Sequence, residues 1–560
     1  MDFRALVDEF LRNYFAHYPV RATDAGNHEH DGEWPDLTDD GRRARSAFLR
    51  DWERKLLELP AGDLTQDDAV DRDVLHEQVR ADLFEEERLE ELSWNPLAYV
   101  HLAGAGLFGL LAREFAPPDV RLRSVAARLR GLPALLDAAR LRLDAPGGRA
   151  VSRFHTQKAI SDAPGIAQLA DSAATEAEAL PDAALREDVR EAATIGRAAA
   201  DQFASWLRDD LLPRADGGFR LGAALYEEKL RHALRSNLRS AEIAARAEVA
   251  QAGVRQEMHH LATQLWSTWL PGEEPPSRPD ELVRRVLDAV AAEHPAAGEL
   301  LSYCRAELGR IEAFVRERDV IGLMEDPLEI IWTPVFLRSG AGAMLIPPGP
   351  LDRGLKSYFC ITPMPEDWTP EQVESNLRED NARMLRLLTI HEAVPGHYLQ
   401  LAYANRSESL VRSIFGSGVF VEGWAVYVTQ VMIDLGYGAD DPALMLVHWK
   451  YFLRAITNAI IDIGIHAGQM DEAEAMRLMV DEGFQERSEA SEKWNRARLT
   501  STQLCEYFVG SVEMSDVERD ARRRAAAEGR EFVYREHLES VVSHGSPPPR
   551  TLRRILAGVG

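Results

Sequence analysis

A mainly α chain, with one small β-sheet set beside a metal-binding helix, is the architecture that three features of the sequence predict. Apolar residues recur at helical spacing through most of the first half. Three short runs rich in β-branched and aromatic residues then crowd into about 328–362. Soon afterwards comes His391-Glu392-Ala393-Val394-Pro395-Gly396-His397, followed by Glu422-Gly423-Trp424-Ala425.

The first element is an amphipathic helix from the start of the chain, with Phe3, Leu6, Val7, Phe10, Leu11, Tyr14 and Phe15 on one face. The same period predicts helices over 43–58, 67–92, 119–142, 172–208, 222–269 and 280–318. Turn-forming clusters break the pattern at Ala145-Pro146-Gly147-Gly148, Asp216-Gly217-Gly218 and Pro271-Gly272-Glu273-Glu274-Pro275-Pro276. Residues 1–290 are therefore expected as a helical lobe and 291–560 as the lobe that carries the chemistry. Gly104-Ala105-Gly106-Leu107-Phe108-Gly109 fits a dinucleotide-binding pattern. It lies in a helical region with no acid at the ribose distance, so a close helix contact or a turn explains it better.

Leu328-Glu329-Ile330-Ile331-Trp332, Met344-Leu345-Ile346-Pro347 and Ser357-Tyr358-Phe359-Cys360-Ile361 read as strands. Gly340 and Gly342 separate the first two, and Pro347 to Pro350 lead toward the third. Thr369-Pro370-Glu371-Gln372 then starts a helix, with a Thr cap, Pro in the first turn and Gln to close a capping box. From Asn381 onward, Met384, Leu385, Leu387, Leu388 and Ile390 form an apolar helix that carries His391 into the interior.

Two imidazoles and a carboxylate are the ligand set of a catalytic zinc, with a position left open for water. A second carboxylate beside the first ligand, Glu392, is placed to take a proton from that water. The spacing is unusual. Histidines four apart on a helix face one ion, but His391 and His397 are six apart, about 120° out of line on a regular helix. Pro395 lacks an N–H and clashes with the carbonyl of His391, while Gly396 accepts backbone angles that other residues resist. The motif therefore requires a helix broken at Pro395-Gly396. Glu422 lies in the apolar run Val419 to Val428, where an ionised acid needs a cation or a metal.

The composition, 45% apolar and 28% charged, is that of a globular protein, and 560 residues are enough for several cores. A net charge of −26 argues against nucleic acid and anionic membranes. The start of the chain lacks the basic, apolar and small-residue succession of a signal peptide, and no apolar stretch is long enough to span a membrane. Cys304, Cys360 and Cys505 are far apart and suit a reduced interior. These features together imply a cytoplasmic protein.

At these residues the chain resembles the bacterial domain-of-unknown-function 885 family, grouped with the gluzincin zinc peptidases that include thermolysin and the neurolysin-like oligopeptidases. Tyr18-Pro19-Val20-Arg21-Ala22-Thr23-Asp24-Ala25-Gly26 with Asp31 resembles the opening motif of the family. The His391–His397 and Glu422–Ala425 blocks follow. Asp462-Ile463-Gly464-Ile465-His466 and Gln503-Leu504-Cys505-Glu506-Tyr507-Phe508-Val509-Gly510 resemble two more, and Phe532, His544-Gly545 and Leu552 echo a last one. The resemblance implies a two-lobed gluzincin-like fold, with His391, His397 and Glu422 as zinc ligands and Glu392 as general base. It implies His466 and Tyr507 as oxyanion donors, with Asp462, one turn before His466, orienting that imidazole. On the residues alone, His466 reads equally as a buried imidazole and Tyr507 as a core aromatic. The sequence departs from the family pattern at Asn458, Thr429 and Phe508, and at Ser501-Thr502 where the family has Pro-Gly.

The expectation is a zinc-dependent hydrolase that cleaves short peptides, as an oligopeptidase or a carboxypeptidase-like enzyme, with no nucleic-acid or membrane partner. Arg496, Arg498 and Lys356 are candidates to hold a substrate carboxylate. The sheet would either hold an extended peptide or only buttress the zinc helix. A zinc amidase or esterase acting on a non-peptide metabolite uses the same residues. A non-catalytic metal-binding protein would need only the ligands.

Overall fold

The computed structural model describes residues 3–558 apart from Ala61, Asp63, Pro146, Val335, Phe336, Ser339, Gly340 and Ala341. The breaks expected at Pro146 and Gly340 fall on residues outside that set, as do Met1 and Asp2 of the first helix. Helices dominate the chain, and one three-stranded sheet accompanies them. No single helix among the described residues is long and apolar enough to cross a membrane.

The first helix, Phe3–His17, buries all seven of its predicted apolar residues. Asp39–Leu57 and Pro118–Asp144 follow as expected, while the helix expected over 67–92 is α-helical only over Gln66–Phe84 and breaks at Glu90, which takes φ +46°. Three further predicted helices divide. The stretch 172–208 is Pro164–Ala177 and Ala183–Trp206, parted at Pro181. Asp182 caps the second of these by accepting the N–H groups of Ala184 and Leu185. The stretch 222–269 divides at Arg235, which takes a left-handed φ of +47°. The stretch 280–318 divides around Pro295. Apolar periodicity reports which face is buried, and that face stays in phase across a short break, so the pattern alone conceals it.

The largest core draws on both halves of the chain. Ile243, Met258 and Val286 share it with Leu387, Trp424 and Leu453, as helix Ser240–Trp269 packs along helix Pro442–His466. A second core lies within residues 37–215 and includes Leu107, Leu129, Val189 and Phe203. Gly106 belongs to helix Leu97–Ala112, and a Cβ there would come within 2.4 Å of the Trp34 ring. The glycine pattern around it therefore serves helix contact, as the absence of a preceding strand implied.

The strands are β1 (Leu328–Trp332), β2 (Ala343–Ile346) and β3 (Ser357–Ile361), ordered β1-β3-β2. β1 runs parallel to β3 with Leu328 opposite Ser357, and β2 runs antiparallel with Ala343 opposite Ile361. Ile330, Phe359 and Ile361 pack with Leu385, so the sheet supports the helix that carries His391.

Helices Gly418–Asp434 and Gln503–Ala527 meet backbone to backbone. A Cβ on Gly423 would lie 2.4 Å from the carbonyl carbon of Gly510, and one on Gly510 would lie 2.2 Å from the Val419 oxygen. Glycine is needed at both positions for close approach, not for backbone angle. Gly510→Ala is expected to lower the unfolding free energy by about 1–3 kcal/mol in urea titrations. An unchanged transition midpoint would refute so tight a contact.

Candidate metal centre

The helix Ala382–Glu392 begins at Asn381, whose Oδ1 accepts the N–H groups of Arg383 and Met384 at 3.1 Å each. It ends at Glu392. Ala393 leaves helical angles (φ −108°, ψ −94°), and a new helix, His397–Ala404, opens on the second histidine. Between them the Gly396 N–H reaches back to the Ile390 carbonyl at 3.0 Å. A Cβ on Gly396 would sit 1.9 Å from the carbonyl oxygen of His391, so the crossing tolerates only glycine. The break that the six-residue spacing demands is present. Trp424, two residues after Glu422, pins it by donating its indole N–H to the Pro395 carbonyl at 2.9 Å.

The two imidazole rings come to 4.6 Å between centroids at 81°. Glu422 Oε2 lies 3.7 Å from His391 Nε2 and 3.5 Å from His397 Nε2. Ligands around a tetrahedral zinc are roughly 3.4 Å apart, given bonds of about 2.0–2.2 Å. The three ligand atoms lie within 4.8 Å of one another, and no other group of His, Cys, Asp and Glu among the described residues meets that test. Glu422 Oε2 is buried with no hydrogen-bond partner among the described residues, as is Oε2 of Glu392. A carboxylate oxygen orphaned between two imidazoles is a fit for a cation, and the N/O donor set suits zinc.

Burial acts on both acids. It pushes the Glu392 carboxyl above the usual range, against the pull of the two histidines. Burial also raises Glu422, but the imidazoles beside it overcome this and hold it well below the usual range. Tyr507 stands close by, with its ring 6.5 Å from that of His391 and nearly parallel. Burial lifts its phenol to about 12, with Arg496 opposing, so it keeps its proton at neutral pH.

His466 and Asp462 are not brought to the cluster. The His466 Nε2 bonds the Ala497 carbonyl at 2.8 Å, its ring stacks on Tyr226, and burial lowers it to about 4. Asp462 does not orient that imidazole. Its two oxygens accept the N–H groups of Thr502 and Leu504 at 3.0 Å each, capping the helix that carries Tyr507. One-turn spacing placed the pair on one face, but the unpaired N–H groups of an incoming helix were the stronger claim on the carboxylate. Both residues therefore support the segment 496–507 from behind.

Of the three candidate carboxylate holders, only Arg496 is at the site. Arg498 lies 3.7 Å over the Phe154 ring, and Lys356 pairs with Glu329 at 2.8 Å. Gln503 was not singled out by the sequence reading. Its Nε2 donates to Glu422 Oε1 and to the Tyr507 hydroxyl, each at 3.3 Å. The signal available was its place one helical turn before Tyr507. Tyr451, with its ring 5.7 Å from that of His391, carries no such signal. A cavity of about 600 Å³, lined in part by Arg21, Asp82, Glu85 and Arg235, extends to Gly418 in the first turn of the Glu422 helix.

The model of a family of bacterial proteins of unknown function, DUF885, matches residues 19–556. The chain belongs to the DUF885 family. A protein of unknown function from Shewanella oneidensis, described as a candidate lipoprotein, is similar over 100% of both chains at 30% identity and a TM-score of 0.82. A candidate lipoprotein from Colwellia psychrerythraea shares the fold, with a TM-score of 0.79 at 16% identity over 99% of this chain and 98% of that one. No curated protein matches the chain.

Thr502, just before the helix that carries Tyr507, takes φ +73°. A β-branched residue is strained in that region by about 1–3 kcal/mol. Thr502→Gly is expected to raise the unfolding free energy by about 1 kcal/mol, after the greater chain entropy of glycine is deducted. Destabilisation would mean that the Thr502 side chain holds the turn. For the metal, atomic-absorption analysis of purified protein is expected to find one zinc per chain. His397→Ala, Glu422→Ala and Gly396→Ala should each lose it while keeping wild-type helix content by circular dichroism. Retention of zinc by all three would place the metal elsewhere.

Proposed function

We propose that this DUF885 protein is a zinc-dependent hydrolase of gluzincin type that cleaves peptide bonds in short peptides. The observation that carries the reading is the orphaned Glu422 oxygen between His391 and His397, with the buried Glu392 carboxylate beside them. A pure metal-storage site has no need of that fourth group.

Zinc held by His391, His397 and Glu422 would supply Lewis-acid polarisation of a carbonyl and an acidified water. Glu392 takes the proton of the attacking water and passes it to the leaving amine, so that its raised basicity is an asset. Tyr507, protonated at neutral pH, donates its hydroxyl hydrogen to the developing oxyanion. In this reading the helices of 1–290 wall the cleft and β2, at the sheet edge, is available to an extended peptide. The lipoprotein descriptions of the two similar structures support an envelope-anchored or secreted setting, in place of the cytoplasmic one that charge and thiols suggested.

Digestion of a diverse short-peptide library, read by mass spectrometry, tests the proposal. Glu392→Gln is expected to retain zinc and lose about 10²–10⁴-fold in kcat. Tyr507→Phe should lose about 10²-fold in kcat with little change in KM. Normal cleavage by Glu392→Gln would reject the assigned base. Esters or simple amides turned over by a protein that leaves every peptide intact would reject the peptidase reading.

A further inference from the structure

Arg496 differs from most interior arginines, although Arg235, whose Nη2 donates to Gln78, also lacks an ion pair among the described residues. Arg45, Arg383, Arg412 and Arg454 each pair with at least one carboxylate, and Arg128 spends its donors on backbone carbonyls and a threonine. Arg496 forms no ion pair among the described residues. Its Nη2 donates to Gln503 Oε1 at 2.9 Å and to the Tyr507 hydroxyl at 3.1 Å, both neutral groups. Its Nε and Nη1 have no hydrogen-bond partner among the described residues, and the side chain is partly exposed. A partly buried guanidinium hydrogen-bonded only to neutral groups, with Glu422 and Glu489 acting on it from beyond ion-pair distance, has donors left for an anion.

Its position relative to the cluster is fixed by a chain of bonds. Arginine can only donate, so Gln503 must turn its oxygen to Arg496 and its amide hydrogens to Glu422 and Tyr507. One amide group thus separates the guanidinium from a metal ligand. Successive α-carbons of a peptide are about 3.8 Å apart. A carboxylate on Arg496 would therefore place a peptide bond near its own end of the chain at the His391, His397 and Glu422 cluster.

We infer that Arg496 binds the terminal carboxylate of the substrate, which makes the enzyme selective for peptides with a free carboxy-terminus and directs cleavage to that end. The inference rests on the peptidase reading for the bond cleaved, and on Arg496 alone for the recognition.

Calorimetric binding of tri-alanine and of tri-alanine amide to zinc-loaded Glu392→Gln protein tests it. The free acid is expected to bind at least about tenfold more tightly than the amide. Adding Arg496→Met should bring the two to equal affinity, with that for the amide unchanged within about twofold. Arg496→Lys, which keeps the charge and loses the planar head group, should recover part of the preference. Thermal unfolding of each variant checks that the fold survives. If Arg496→Met unfolds, a preference undiminished in Arg496→Lys counts against the site. Equal binding of acid and amide by the parent, a preference that outlives Arg496→Met, or no binding of either ligand overturns the assignment. Turnover by the wild-type protein is read separately. Acid-selective binding with no cleavage of any peptide supports Arg496 and rejects the peptidase. Cleavage indifferent to the terminus does the reverse.

Discussion

Everything at the centre depends on how closely the chain crosses itself between His391 and His397. Two histidines six apart cannot share an ion along one helix, and the remedy is a tight reversal in which Gly396 lies against the His391 carbonyl. The reversal does not stand alone. The indole of Trp424 holds the Pro395 carbonyl, so the element that makes the break also fixes the distance to the helix bearing Glu422. That helix in turn lies against the Tyr507 helix through Gly423 and Gly510, with no side chain between them. Three small contacts therefore set the relative positions of two imidazoles, a carboxylate and a phenol.

Behind this front layer is a set of buried polar bonds that contact no ligand atom of the cluster. Asp462 closes the start of the Tyr507 helix, and His466 ties the Ala497 carbonyl to the same region. Asp462 is 1% exposed, and burial raises its carboxyl to about 6 even with two N–H groups donated to it. An acid kept in such a place is held by geometry: it is the cap that a helix starting in the interior requires. Thr502, strained beside it, belongs to the same turn.

Much of this was legible in the sequence. The His391, His397 and Glu422 trio, the break and the three strands follow from residue type and spacing, because a candidate ligand set, helix interruption and alternating burial each leave a local mark. Glu392 declared itself by adjacency. What stayed hidden depends on partners distant in the chain. His466 and Asp462 are four apart on one helix, and nothing local says that each finds its partner in 497–504. Gln503 is one polar residue among many until Glu422 is placed 3.3 Å away. The divided helices were hidden for a different reason, since burial of one face continues through the breaks.

The arrangement of His391, His397 and Glu422 is held by the protein itself. In a zinc finger the ligands come from a chain too small to hold its own core, so binding and folding are one event. Here His391, His397 and Glu422 sit on three helices, and the surrounding core runs from Phe84 to Leu552. The reversal is stabilised by a backbone bond, a glycine contact and an indole, none of which needs the metal. The cost falls elsewhere, in buried carboxylate oxygens on Glu392 and Glu422 that have no hydrogen-bond partner. A rigid scaffold can maintain such groups because its stability is drawn from packing far from them. An arrangement with unsatisfied acids at its centre and a firm structure around it is what preorganised electrostatic catalysis requires, since the polar groups need not reorganise when charge develops.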